Sequence, residues 1–434
     1  MTRFLSHAVL GCFSLALLCV PAHGQDIPAV TSTPPFQGFQ LPTELGTLHY
    51  ALNFGERVRS GYYGTGSNIW TTDFSGDLGY LSGNETRPLS IVYSGGYLHN
   101  SGGVQSSIFQ NLSISQTFNT RLWTTNISDT LNYLPEAPSS GLSGIPGIGD
   151  VGVNPPPTGG DGGQDILSNT GQRISNNANA SVARHLTGST TLRVGGGYLI
   201  QRFLTGGTSS LDGDSIDGQV DVEHRIDALN KAEGNYSFNR FTYQNEDFSI
   251  TTHKIAVGYT RQVNRMLTLH ALIGPQFVSS AGSPLASSSI NFSVDAGMMY
   301  TGEQYDYSVN YTRGVRNGSG IVQGTFADSV YGSAGRKIGE YMHLSATGSF
   351  THNSSIGNLT NGIPNAQQAD FRTLIANVQF SRVLSRNFNA FLNFSVQNQE
   401  SPSAVSSTNA FTGTSQTYGF GITYSPRLLH LGHQ

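Results

Sequence analysis

Apolar and small polar residues alternate along most of the chain. In Ile290–Tyr300 one set is Ile290, Phe292, Val294, Ala296, Met298 and Tyr300, and the other is Asn291, Ser293, Asp295 and Gly297. Phe388–Val396 repeats this with Phe388, Ala390, Leu392, Phe394 and Val396 against Asn389, Asn393 and Ser395. Met342–Phe350 and Tyr418–Tyr424 follow the same rule. A period of two is the signature of strands whose two faces meet different media. Helical periodicity is absent after the first two dozen residues.

The alternation predicts about eighteen strands, over 48–60, 68–80, 88–99, 106–118, 121–133, 171–184, 189–203, 214–226, 231–244, 248–261, 266–278, 287–300, 304–315, 322–334, 340–353, 369–382, 387–399 and 414–425. The segment 322–334 is ambiguous in phase. Connections alternate in length. Tight turns fall at Asn119-Thr120, His185–Gly188, Asp227–Lys231, Gln262–Arg265, Thr301–Glu303 and Val383–Arg386. Longer Gly/Ser/Asn-rich loops fall at Leu204–Gly213, Ser279–Ala286, Arg316–Ile321, Asn353–Gln368 and Glu400–Gly413. Short turns at one rim and long loops at the other fit a membrane barrel, and a soluble sandwich has no reason to show them. An even strand number fits closure.

Arginines mark the turns: Arg184, Arg261, Arg336 and Arg382 each close a strand, and Arg225 sits similarly. Their spacing gives a hairpin unit of about forty residues, each with two strands of 12–15. A propeller blade has that period but four shorter strands. The longest connection, 134–168, carries Pro135, Pro138, Pro146 and Pro155-Pro156-Pro157 among many glycines, a composition that forms neither strand nor helix. It belongs to the long-loop rim and is the natural candidate for a segment folded into the lumen.

Only 12% of the residues are charged, against roughly 25% in an average soluble domain. Aromatic content is too high for a disordered chain, and no stretch beyond residue 22 supplies the ~18 apolar residues of a spanning helix. Alternation explains the shortage: outward positions exclude charge, while inward positions hold Ser, Thr, Asn and Gly. The net charge of −4 gives no reason to expect nucleic-acid binding.

Residues 1–24 read as a secretory signal peptide, with Arg3, an apolar run from Ala8 to Val20, and a small-x-small site at Ala22-His23-Gly24. Leu10-Gly11-Cys12 only loosely resembles a lipobox, and apolar residues continue past it. Cleavage would remove both cysteines, Cys12 and Cys19, and shift the net charge from −4 to −5 by removing Arg3. Residues 25–47, with Pro28, Pro34, Pro35 and Pro42, form an irregular lead-in. The barrel takes 48–425, and 426–434 form a C-terminal tail.

The predicted inner face carries Asp77, Asp217, Asp221, Glu223, Glu233, Asp295 and Asp306 with Arg193, Lys254, His270 and His343. These are the candidate pore-lining residues, since such groups are costly against lipid and comfortable in water. Acids prevail among them, which points to weak cation preference. The outer face ends many strands in Tyr80, Tyr93, Tyr97, Phe118, Tyr133, Tyr236, Tyr259, Tyr300 and Tyr424, the interfacial girdles of a membrane barrel. Just beyond them Arg184, Arg261 and Arg382 can snorkel to head-group phosphates or remain solvated in turns.

Catalytic motifs are lacking. Gly147-Ile-Gly149-Asp-Val-Gly152 matches a dinucleotide fingerprint, but prolines flank it and neither strand nor helix does. Asp212, Asp214 and Asp217 could offer oxygens to calcium, yet no Glu stands at the EF-hand end position. Histidines His224, His253, His270, His343 and His352 have no metal spacing. No cofactor, metal or catalytic residue is assigned.

The signal segment, alternating strands, loop asymmetry, girdles and final Tyr418-x-Phe420-x-Ile422-x-Tyr424 resemble the Gram-negative outer-membrane β-barrel proteins, in particular porin-like barrels of acidobacteria and related soil bacteria. The resemblance covers roughly 48–425. It implies an all-β, transmembrane, antiparallel up-and-down barrel of sixteen to eighteen strands in the cell outer membrane. The expected partners are outer-membrane lipid and lipopolysaccharide, the barrel-assembly machinery and small solutes. The family's aromatic assembly signal is usually terminal, whereas ten residues follow Tyr424 here. A barrel of this size usually encloses a water channel, so the expected function is passive diffusion of small hydrophilic solutes. Alternatives are a barrel component of surface polysaccharide export and an outer-membrane hydrolase.

Overall fold

The computed structural model describes residues 46–61, 68–82, 86–101, 106–134, 172–204, 212–243, 248–281, 288–316, 324–356, 370–400, 412–426 and 429–430. The first six strands are β1 (Thr47–Ser60), β2 (Ile69–Leu81), β3 (Leu89–Asn100), β4 (Ser107–Asn119), β5 (Trp123–Leu134) and β6 (Arg173–His185). Next come β7 (Thr190–Phe203), β8 (Gly213–Arg225), β9 (Asn230–Tyr243), β10 (Phe248–Gln262), β11 (Leu267–Ala281) and β12 (Ser288–Thr301). Then follow β13 (Tyr305–Arg316), β14 (Thr325–Ile338), β15 (Met342–Ser355), β16 (Asp370–Ser385), β17 (Phe388–Glu400) and β18 (Gly413–Tyr424), with a two-residue β19 (Leu429–His430).

Each long strand pairs antiparallel with its sequence neighbours, and β18 pairs with β1 from Leu52↔Tyr424 to Ser60↔Gln416. The sheet therefore closes, and its eighteen long strands have no open edge. All eighteen expected segments are present, with ends displaced by a few residues. The largest shift is at β14, where Ala327, Gly332, Ala334 and Gly335 blur the alternation because small residues occupy both faces. The expected loop at 134–168 lies outside the described residues, apart from Leu134, which ends β5.

Both described chain ends lie at the short-turn rim. There the tail returns: Leu429 and His430 pair with Leu48 and Thr47, so β19 extends the sheet beside β1. His49 Nε2 and Ser425 Oγ are 2.8 Å apart across the same seam. The short turns are closed by side chains. Asp227 Oδ1 accepts from the Leu229 and Asn230 N–H groups, and Oδ2 accepts from Asn230 Nδ2. These bonds, the Asn230 side chain first, hold the Asp227 carboxyl below the usual carboxylate range.

The outward positions form an apolar belt. Leu52, Trp70, Ile127, Ile255, Val257, Ile290, Leu392 and Phe420 are all more than half exposed or nearly so, which no soluble protein tolerates over so wide a surface. The predicted girdle aromatics occupy this face. The chain is thus a transmembrane up-and-down barrel. Arg184 lies over the Trp123 ring at 4.9 Å on the outer face. Arg225, which the turn pattern groups with it, falls in the inward phase of β8 and donates to the Gly188 carbonyl at 2.8 Å.

The expectation that outward positions exclude charge needs correction. Asp129, midway along β5 between Trp123 and Tyr133, points outward and accepts a hydrogen bond from Asn176 Nδ2 at 2.8 Å. Glu56, also outward, accepts from the Thr72 hydroxyl at 2.7 Å. Arg313 and Asp328 pair at 2.9 Å near the long-loop rim. Asp129, Glu56 and Asp328 each have a bonded neighbour, because an unpaired charge facing lipid would cost more than a hydrogen-bonded one.

Candidate functional site

Strand alternation places all eleven candidate residues in the inward phase, and the register decides which of them meet. Nine fall on one continuous stretch of inner wall, β7 to β13. Glu223 and Glu233 stand directly opposite one another on β8 and β9. The same cross-strand row continues through Gly258 and Leu272 to Asp295. One step toward the long-loop rim, Arg193 faces Asp221, and Asp221 faces Asn235.

Opposite signs are interleaved on this wall. Lys231 Nζ lies 3.0 Å from Glu223 Oε1, which relieves the like-charge pairing of Glu223 with Glu233. Asn235 Nδ2 donates to Asp221 Oδ1. His270 Nε2 approaches Asp295 Oδ1 at 3.4 Å. Glu233 lies within electrostatic reach of Asp221, Glu223, Arg193 and Lys254, and Lys254 within reach of Asp295, Asp221 and Glu233. Arg193 is exposed although it points inward, so solvent reaches this wall. Lys231 and Asp306 are exposed beside the short turns. Gly197 makes room at the upper end of the wall. A Cβ there would meet Asp217 Oδ1 at 2.6 Å and also Asn179 Oδ1, so only glycine lets both side chains lean across β7.

The other two candidates lie apart. His343 is the second residue of β15, near the short-turn rim, opposite Lys337 and Ser381. Asp77 belongs to a buried polar layer on β1–β4. Arg57 Nη2 lies 3.7 Å from Asp73 Oδ2 there, with side chains 4% and 0% exposed. Asn53 Nδ2 donates to Asp77 Oδ2 at 3.0 Å. Asp73 was readable, since it shares the phase of Thr71, Ser75 and Asp77 along β2; Lys231 was hidden by its place beside a turn. The three carboxylates at 212–217 separate completely. Asp212 Oδ1 accepts from the Phe203 N–H at 2.8 Å, Asp214 pairs outward with Arg202 at 2.7 Å, and Asp217 points inward.

An apolar cluster stands above the charged wall at the long-loop rim. Phe241 and Tyr243 of β9, Ile250 of β10 and Val278 of β11 pack with Ile356, which follows β15. The Tyr243 hydroxyl hydrogen-bonds the backbone of Gly324, just before β14. Residues at the tops of β14 and β15 therefore reach across β12 and β13, and the rim is drawn inward on that side. Among the described residues no three His, Cys, Asp or Glu side chains gather as metal ligands.

No protein-family model and no curated protein matches the chain. Several solved structures are similar to it. Pseudomonas aeruginosa OccK2 (OpdF) in complex with glucuronate is 11% identical over 89% of this chain and 98% of that one, with a TM-score of 0.45. A BenF-like porin from Pseudomonas fluorescens is 12% identical over 88% and 98%, at 0.45. Acinetobacter baumannii OccAB4 is 9% identical over 88% and 98%, at 0.46.

Proposed function

We propose that this chain is an outer-membrane channel for passive diffusion of small hydrophilic solutes, with weak preference for cations. The observation that carries the reading is the open charged wall of β7–β13 inside a closed barrel with an apolar exterior. A lumen kept dry would not leave Arg193 exposed. A wall of interleaved acids and bases wets the path and gives ions many weak contacts, which favours passage over tight binding.

The sign of selectivity follows from the same wall. Asp217, Asp221, Glu223, Glu233, Asp295 and Asp306 face Arg193, Arg225, Lys231 and Lys254, so acids outnumber bases on this wall. Arg57 is balanced by Asp73 in the buried layer and contributes little to the field. The barrel would sit in outer-membrane lipid and lipopolysaccharide, delivered there by its signal segment and the assembly machinery. Arg184, Arg261 and Arg382 on the outer face at the short-turn rim would meet head groups. The role is transport, with no catalytic residue assigned.

Liposome swelling tests the channel directly. Purified barrel reconstituted in vesicles should give swelling rates that fall as the solute grows. Vesicles that do not swell in any small sugar or amino acid would overturn the reading.

A further inference from the structure

The inner face of β1–β4 holds a row of buried oxygen atoms that no described residue satisfies. Register places Asp77 opposite Ser94, and Ser94 opposite Asn111. Asp77, Ser94 and Asn111 are 8%, 1% and 4% exposed. Asp77 Oδ1, Ser94 Oγ and Asn111 Oδ1 have no hydrogen-bond partner, and neither does Asn53 Oδ1 beside them. All four unsatisfied atoms are oxygens able to accept. Leaving a buried acceptor unmet costs roughly 1–3 kcal/mol each, so a row of them calls for an occupant.

The shape of the row suits an ion. Neighbouring strands lie about 4.8 Å apart, so Asp77 and Asn111 each flank Ser94 at one such spacing and their backbones stand about twice that distance from each other. The serine is the shortest side chain of the three, so the two longer ones can lean over it from either side. Asn53 donates its amide to Asp77 Oδ2 at 3.0 Å. That bond engages one carboxylate oxygen and leaves Oδ1 without a partner among the described residues. Arg57, on the same inner face, pairs with Asp73.

We propose that Asp77, Ser94 and Asn111, oriented by Asn53, bind one hard cation of the calcium class on the inner wall. Carboxylate, amide and hydroxyl oxygens, completed by water, are the ligands calcium accepts, and its irregular coordination suits a set built across three strands. The absence of His or Cys disfavours zinc and copper. With a single carboxylate the affinity should be low, on the order of 0.1–1 mM. The ion would tie β2, β3 and β4 together on the side of the barrel away from the open charged wall, independent of what the lumen carries.

Equilibrium dialysis of the detergent-solubilised barrel against radioactive calcium chloride tests this. The expected result is about one saturable calcium per chain, lost in Asp77→Asn and weakened several-fold in Ser94→Ala and Asn111→Leu. Asp306→Asn, a lumen acid far from the row, should bind like the wild type. Wild-type protein with no saturable binding up to about ten times the upper affinity limit would overturn the proposal, whatever the variants do. So would binding that Asp77→Asn leaves unchanged. In crystals soaked in strontium chloride, anomalous density between Asp77 and Asn111 is expected; water alone there would count against the site.

Discussion

Gly324 packs directly against Ile250. Its φ is 74°, and a Cβ there would overlap Ile250 Cδ1. The two residues are far apart in sequence and belong to the tops of β14 and β10. Their contact draws one side of the long-loop rim inward above the charged wall. Ile250→Ala should cost about 2–5 kcal/mol of folding stability and widen the opening. Single-channel conductance should rise, and urea titration of vesicle-bound protein should show the lowered midpoint. Gly324→Val should destabilise as well, since a β-branched residue at positive φ is strained.

Arg57 and Asp73 form a pair shielded from solvent on the inner face. Removing one partner leaves the other charged and buried, so Asp73→Asn or Arg57→Leu alone should cost about 3–5 kcal/mol. The double replacement Arg57→Met with Asp73→Leu should recover most of that loss, because well-packed apolar groups often match a buried ion pair. Folding titrations of the three variants in vesicles check the non-additivity.

Ion selectivity should respond to the mid-wall charges in opposite directions. Glu233→Gln and Asp221→Asn remove acids and should move the reversal potential in asymmetric potassium chloride toward anions. Lys231→Met frees Glu223 from its 3.0 Å partner and should move it toward cations. Anion preference in the wild type would contradict the assignment of the wall.

Asp129 is a test of the membrane-facing surface. It lies outward in the middle of β5, with Asn176 as its hydrogen-bond donor. A charged group at this depth costs something below the about 2–4 kcal/mol seen for Arg or Lys at the midplane. Asp129→Leu should therefore leave folding into vesicles unharmed or improve it. A loss above about 1 kcal/mol, beyond what one net hydrogen bond contributes, would mean that a non-lipid surface covers this patch.

The elements and their faces were legible because a strand between lipid and water has a binary pattern with a fixed period. Phe388–Val396 could be assigned to a face residue by residue, and strand order followed from short antiparallel turns. The phase of β14 was not legible, since small residues meet either medium at little cost. Outward Asp129 and Glu56 broke the pattern because a single hydrogen bond to Asn176 or Thr72 makes a local exception affordable.

Sequence by itself bounded the strand number at sixteen to eighteen and determined the inward phase of the eleven polar residues and the alternation of rims, all of which are local properties of a chain with period-two patterning. Tertiary structure decided which inward residues meet. Register is set by the hydrogen-bond ladder between strands, and it put Glu223 opposite Glu233 while sending Asp77 to a different, buried layer with Asn53. It also decided the contact of Gly324 with Ile250, because barrel closure brings strand tops together at separations no local pattern records.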